Sequence, residues 1–332
     1  MFDLDINTCS KNLLAFSAGV DSSALFFLLL EKNISFDIVI VDYKQRKQSL
    51  DEIQYAKDLA LKYNKKCYTT QYKNIDNFNE KDARDFRYNY FDELIEKYSY
   101  DTLFTAHQLN DVLEWFFMQL SKGAGLNELI GLHKKQKRKN YILYRPLLDI
   151  SKDELENYLK SNNYKYFVDD TNLDTKFKRN YFRKEFSNKF ISEYKDGIKK
   201  SFDYLNNDIN SLNNLYTSFQ YKDIYIAKFK IYDENIMIRF IDKTIKKMGT
   251  IISKNTRDEI LRQKEIIISS NISIGIINNT IYISPFLDKT MDKKFKERCR
   301  VLKIPKNIRP YLCSLNKNSF DTFISKLSKD SI

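Results

Sequence analysis

Residues 12–30, NLLAFSAGVDSSALFFLLL, decide how the first half of the chain is read. An apolar run ending at Phe16 gives way to a loop of small and polar residues, Ser17 to Ser23, and a second apolar run follows from Ala24 to Leu30. The first run suits a buried strand and the second a buried helix. A loop that opens a helix attracts anions, because the first N–H groups lack intrahelical acceptors and carry the positive end of the helix dipole. Small residues let a phosphate approach the backbone, and Ser17, Ser22 and Ser23 add hydroxyl donors. Asp21 is out of place in a phosphate cradle unless a magnesium ion lies between carboxylate and phosphate. An N-cap turn with ordinary serines is the competing reading. The stretch has neither G-x-x-x-x-G-K-S/T nor G-x-G-x-x-G, so it is neither a P-loop nor a dinucleotide fingerprint.

The flanking sequence repeats the same alternation. FDIVIVD (36–42) is a nearly continuous apolar strand, as in a sheet covered on both faces. SLDEIQYAKDLALKY (49–63) reads as a helix opened by a Ser49–Glu52 capping box. KCYTT is a third strand, residues 80–98 a helix, DTLFTA (101–106) a fourth strand, and NDVLEWFFMQLS (110–121) a helix. YILYRPLL supplies a fifth strand ended by Pro146. This order predicts an α/β fold, a parallel sheet with helices on both faces and a ligand at the carboxyl ends of the strands. The 17–22 loop and the segments after Asp42 and Ala106 all fall at that edge.

ISKDELENYLKSNN (150–163) starts a different pattern, a helix with a Ser151–Glu154 capping box, and helical, charged sequence continues to about 215. A strand-rich piece (222–232), two helical stretches and a hairpin turning at Asn278–Asn279 follow. The expected division is an N-terminal parallel-sheet domain, 1–185, and a basic C-terminal region, 186–332, mainly helical with some strand.

Composition narrows the chemistry. The balance is 56 basic against 44 acidic residues, net +12, which favours a polyanionic partner; a lysine-rich proteome is the plain alternative. His107 and His133 are the two histidines, so a histidine-rich metal centre is excluded. The four cysteines, Cys9, Cys67, Cys299 and Cys313, form no C-x-x-C pair, against zinc ribbons and iron–sulfur clusters. With no apolar run near 18 residues and no signal-peptide pattern, a cytoplasmic location without a membrane partner is expected.

At this point SAGVDS resembles the S-G-G-x-D-S signature of the PP-loop, or N-type ATP pyrophosphatase, proteins, a Rossmann-like group. Ala18 stands where that family usually has glycine, a change expected to alter the turn slightly. TAHQLNDVLEW, SKGAGLNELIGL, KDARDFRYNYF, YRPLL and VDDTNLDTKFKRNYFRKE resemble segments of the tRNA(Ile)-lysidine synthetases, between residues 12 and about 185. KIPKNIRPYL weakly resembles that family's closing segment. Four of the seven glycines, Gly19, Gly123, Gly125 and Gly131, lie in two of these segments.

The resemblance implies a two-step reaction on an isoleucine tRNA with a CAU anticodon. ATP, with Mg2+, adenylates the ring carbonyl of the wobble cytidine; the amine of free L-lysine then attacks that carbon and AMP leaves. It implies ATP contacts from Ser17, Ala18, Gly19, Val20, Asp21, Ser22 and Asp42, with Asp21 as a metal ligand. Asp111 and Glu114, three apart on one helix face, would hold the lysine amine and help remove its proton. Asn110 replaces a commoner aspartate and cannot act as base. Arg87 would stabilise charge on the phosphates or the activated ring, with Arg84 a weaker candidate, and His107 would contact phosphate or the leaving group. Arg179 and Arg183, with Asn180, would contact tRNA or form the active-site wall, and the basic run Lys134, Lys135, Lys137 and Arg138 would contact tRNA. A surface salt bridge, a core histidine, a packed helix or a solvated loop is the structural alternative for each. A homodimer is left open. Two other functions compete: another PP-loop tRNA-modifying enzyme such as a thiolase, and an inactive RNA-binding relative.

Overall fold

The computed structural model describes residues 11–44, 48–72, 79–168 and 178–329. Most of the VDDTNLDTKF segment, together with Cys9, lies outside the described residues. The chain divides into two compact units, Met1–Leu205 and Asn206–Ile332.

The first unit contains β1 (Asn12–Ala15), α1 (Val20–Glu31), β2 (Phe36–Asp42), α2 (Ser49–Lys62), β3 (Cys67–Gln71), α3 (Glu80–Tyr98) and β4 (Thr102–Phe104). It continues with α4 (Leu109–Leu120), α5 (Leu126–Leu129), β5 (Lys135–Lys137), β6 (Ile142–Tyr144) and α6 (Lys152–Ser161). A helical turn α7 (Lys178–Phe182) then runs through a π-helical segment, Arg183–Ser187, into α8 (Asn188–Asn213).

The sheet order is β3-β2-β1-β4-β6-β5. Every pair through β6 is parallel, because each crossover contains a helix. Strand β5 departs from the parallel sheet that the sequence predicts, pairing antiparallel with β6. It lies in the basic run read as a contact loop. Lys135 and Lys137 are exposed while Gln136 is half-buried, a charged pattern that suits a sheet edge.

Successive β1 residues face opposite cores. Leu14 packs with α1 and α6 through Phe26, Leu29, Leu155 and Leu159, while Leu13 packs with α3 through Phe91, Leu94 and Ile95. Helix α1 is buried nearly all round, which explains its uninterrupted apolar sequence. The chain leaves β1 toward β2 on one side and returns to β4 on the other. The loops after β1 and β4 therefore flank the place where strand order reverses, the usual ligand crevice of such sheets.

The Ser151–Glu154 capping box forms, with Ser151 N donating to Glu154 Oε2 at 2.8 Å. The box read at Ser49–Glu52 does not. Gln48 already has helical dihedrals and takes the cap position, leaving Ser49 inside the first turn.

The second unit has more strand than the sequence suggests. β7 (Tyr216–Tyr221), β8 (Ile224–Phe229), β9 (Glu265–Ile268), β10 (Ile272–Ile277) and β11 (Thr280–Pro285) form an antiparallel sheet ordered β7-β8-β11-β10-β9. Its helices are α9 (Glu234–Lys247), α10 (Lys254–Gln263), α11 (Lys293–Val301), α12 (Arg309–Ser314) and α13 (Lys317–Lys329). The β10–β11 hairpin turns at Asn278–Asn279 as read, with Asn278 at φ +52°. Met237, Ile241, Ile245 and Ile260 cover one sheet face, while Cys299, Ile308, Leu312 and Phe323 cover the other. Gly275 permits the second packing: a Cβ there would lie 2.3 Å from the Cβ of Pro305.

Candidate active site

The 17–23 loop is tied by its own serines. Ser17 N and Oγ meet Ser22 Oγ at 3.2 and 3.1 Å, and Ser22 Oγ donates to the Gly19 carbonyl at 3.2 Å. Phe167 N donates to the Ala18 carbonyl at 2.9 Å. The left-handed residue of the loop is Ala18, at φ +59° and fully buried. Gly19, the N-cap of α1, is extended at φ −74° and has no side chain to accept from the first-turn N–H groups. The expected alteration of the turn is therefore confined to one residue. Alanine takes the conformation that glycine would adopt freely, at roughly 1 kcal/mol.

This loop forms one wall of a cavity of about 460 Å³. Ser17, Gly19, Val20, Asp21 and Ser22 line it, as do Arg87 from α3 and His107 from the turn after β4. Asp111 from α4 and Arg179 from α7 complete a ring of charged groups. Residues separated by up to 162 positions thus meet at the reversal point of the sheet.

The two aspartates differ sharply. Burial pushes Asp21 up to about 7, and nearby Asp111 adds to the rise. Lys152 and Arg183 oppose the shift without cancelling it, and Glu156 raises it further. Asp21 Oδ1 is buried without a hydrogen-bond partner among the described residues. Burial also acts on Asp111, but Arg179, His107, Arg183 and the Gln108 N–H outweigh it and hold the carboxyl below its ordinary range. Asp111 Oδ2 accepts from Gln108 N at 3.0 Å, so this residue also caps α4, a role its motif position did not reveal. Glu114, almost fully buried, is pushed up by burial and held back by the same two arginines.

Arg179 and Arg183 face the acid pair, on the active-site side of the two places expected for them. Arg179 Nη2 lies 3.0 Å from Asp111 Oδ1, and its Nε bonds to Glu114. Arg183 Nε lies 2.9 Å from Glu114 Oε2, and its Nη2 3.4 Å from Asp111 Oδ1. One turn of helix places the guanidiniums on the same face, opposite carboxylates spaced three apart on α4. Both are directed to the acid pair, because leaving buried carboxylates uncompensated is costly.

His107 Nδ1 lies 3.1 Å from Thr105 Oγ1. Burial lowers its pKa to about 4; Asp111 opposes this, while Arg145, Arg179 and Arg87 add to it. The ring is therefore neutral at physiological pH. Arg87 hydrogen-bonds Tyr43, and Tyr43 also lines the cavity. Asp42 is not among the lining residues. Its carboxylate accepts from Lys44 N and Gln71 Nε2, which orders the end of β2. Asn110 is structural too, linking Asn188 Oδ1 and Lys152 N. Lys134 pairs with Asp149, Lys135 lies over the Tyr144 ring, and Arg138 lies over Tyr88.

The sequence reading missed Tyr43, Tyr88, Lys152 and Glu156 as lining residues. Lys152 and Glu156 were within reach of it: Ser151 was recognised as a cap, and Lys152 is the first residue of the helix it opens.

A strand-to-helix loop with an extended glycine cap, facing acids and cations across a switch-point crevice, defines a nucleotide-binding site of the PP-loop class. The comparisons agree. Residues 4–190 match the PP-loop domain family. The tRNA(Ile)-lysidine synthase of Campylobacter jejuni (strain RM1221) is 43% identical, with 91% of this chain and 92% of that protein covered. That of Helicobacter pylori (strain 26695) is 43% identical over 91% of this chain and 89% of the relative. Among solved structures, the U34-tRNA thiolase NcsA from Methanococcus maripaludis with its iron–sulfur cluster is similar in fold (TM-score 0.51), at 19% identity, over 60% of this chain and 73% of that one. The chain belongs to the tRNA(Ile)-lysidine synthase family.

Proposed function

We propose that the chain is an ATP-dependent ligase that joins lysine to the wobble cytidine of an isoleucine tRNA with a CAU anticodon, giving lysidine, AMP and pyrophosphate. The carrying observation is the single cavity that combines the loop at Ser17–Ser22 with Arg87, His107 and Asp111. Glu114 joins Asp111 through the shared arginines. Adenylation requires a site for the triphosphate. The uncapped start of α1 offers N–H donors and Ser17 a hydroxyl. A Mg2+ ion fits the unpartnered Asp21 Oδ1, a hard oxygen donor beside the phosphate loop. The described residues contain no cluster of three or more metal-binding side chains, so phosphate and water oxygens would complete its shell. Such an ion neutralises phosphate charge.

The second step needs an amine held near the activated ring and stripped of a proton. Asp111 stays charged and suits the ammonium; Glu114, raised by burial, is the better proton acceptor. Both are covered by Arg179 and Arg183, so the amine must displace a guanidinium to reach them. A neutral His107 can donate one hydrogen bond to developing charge without carrying a charge itself. Arg138, stacked on the cavity residue Tyr88, brings the basic run close enough to serve RNA phosphates.

The thiolase alternative is weaker. No cysteine among the described residues lines the cavity, and burial pushes the Cys67 thiol up to about 11, far from a reactive thiolate. No described helix is long and apolar enough to cross a membrane, and a cytoplasmic location accords with a tRNA substrate. The test is direct: purified protein, labelled lysine, ATP, magnesium and a CAU-anticodon isoleucine tRNA should yield labelled tRNA. A folded protein that transfers no lysine refutes the proposal.

A further inference from the structure

We propose that Lys152 is a catalytic residue that binds the β- and γ-phosphates of ATP and the pyrophosphate that leaves. This rests on the adenylation reading above.

The triphosphate loop contains no lysine or arginine between Phe16 and Leu30. Its backbone supplies dipoles but no full charge, and Asp21 adds an anion. A triphosphate in this cavity therefore needs cations from elsewhere in the fold. Among the described residues, three basic side chains line the cavity: Arg87, Lys152 and Arg179. Arg179 is committed to Asp111 and Glu114, and Arg87 is hydrogen-bonded to Tyr43. Lys152 forms no contact ion pair among the described residues. Lys152 lines the same cavity as Ser17, Gly19, Val20 and Ser22 of the phosphate loop.

Its backbone is held firmly. The Ser151–Glu154 capping box fixes the start of α6, and Lys152 N donates to Asn110 Oδ1 on α4 at 3.1 Å. Leu155 and Leu159, fully buried, lock α6 in the core it shares with α1. The side chain is a flexible point charge on an immobile base. That combination lets one group follow phosphate oxygens as they separate from the α-phosphorus. In adenylation the cytidine ring oxygen bonds to the α-phosphorus, and the bond from that phosphorus to the α–β bridging oxygen breaks. The electron pair goes to pyrophosphate, whose growing charge the ammonium stabilises. No proton transfer at Lys152 is required.

The test uses full-length protein. In Lys152→Met, pyrophosphate should bind at least about tenfold more weakly by calorimetry on the free enzyme, and kcat for tRNA-dependent AMP formation should fall by roughly 100-fold. KM for lysine should be unchanged, because the amine site lies at Asp111 and Glu114. Lys152→Arg should restore much of both losses, which a purely structural role of the aliphatic stem would not predict. Pyrophosphate affinity and AMP formation equal to wild type in Lys152→Met overturn the proposal. If wild-type protein binds pyrophosphate through Lys152 yet transfers no lysine to tRNA, the lysidine reading fails while the phosphate site stands.

Discussion

Asp21 and Asp111 line the same cavity, and each lies in the first turn of a helix, yet their surroundings are opposite. Asp111 accepts a backbone N–H and meets two guanidiniums, and its carboxyl is held in the charged form. Asp21 has one oxygen with no partner among the described residues, and burial raises it to about 7. The helix dipole favours both anions and so does not explain the contrast; the partners do. A carboxylate already surrounded by fixed cations is part of a built receptor. One left with a bare oxygen in a buried place has no such receptor built around it.

The contrast breaks most readily at Asp21. Asp21→Asn should lower ATP-dependent lysine transfer by at least about 100-fold, because the amide cannot replace the charge that holds a cation. Yet the same change should stabilise the free protein in a pH-dependent way. The folded pKa of about 7 lies above the unfolded value of about 3.9, so the stabilisation from Asp21 is full below the latter and is lost as pH rises through the former. The melting temperatures of variant and wild type should therefore converge near the unfolded value. They should separate by several degrees at alkaline pH, with the variant higher. A constant difference across pH would show that Asp21 is well partnered.

Arg183→Gln probes the opposite pole. Removing a guanidinium from a nearly buried glutamate should cost about 1–3 kcal/mol in chemical denaturation. It should also strengthen lysine binding by the free protein, since the amine then has one competitor fewer. Unchanged stability together with unchanged lysine binding would mean that the arginines do not cover the acid pair in solution.

The smallest effect is expected at Ala18→Gly. Relief of positive φ opposes the lost methyl burial and the greater freedom of the unfolded chain, for a net change within about 1 kcal/mol and near-normal activity. Urea denaturation and steady-state assays read both quantities.

Local sequence carried much of this molecule. The alternation of apolar strands and amphipathic helices from Asn12 to Tyr144 dictated the layered sheet, since period and length distinguish the two element types without long-range information. The Asn278–Asn279 turn and the Ser151 cap were equally local, set by residues whose side chains or backbone preferences act within three positions. The small-residue loop at Ser17–Ser23 was legible for the same reason. Tertiary structure alone decided the pairing of Arg179 and Arg183 with acids 65 to 72 residues away. It also decided the antiparallel edge at Lys135–Lys137, the hydrogen bonding of Asp42 and the arrival of Lys152 in the cavity that Asp21 lines. A charged side chain has no periodic signature of its partner. Which ion it meets, and how far its proton affinity moves, depends on burial and on groups that only the folded chain brings within a few ångströms.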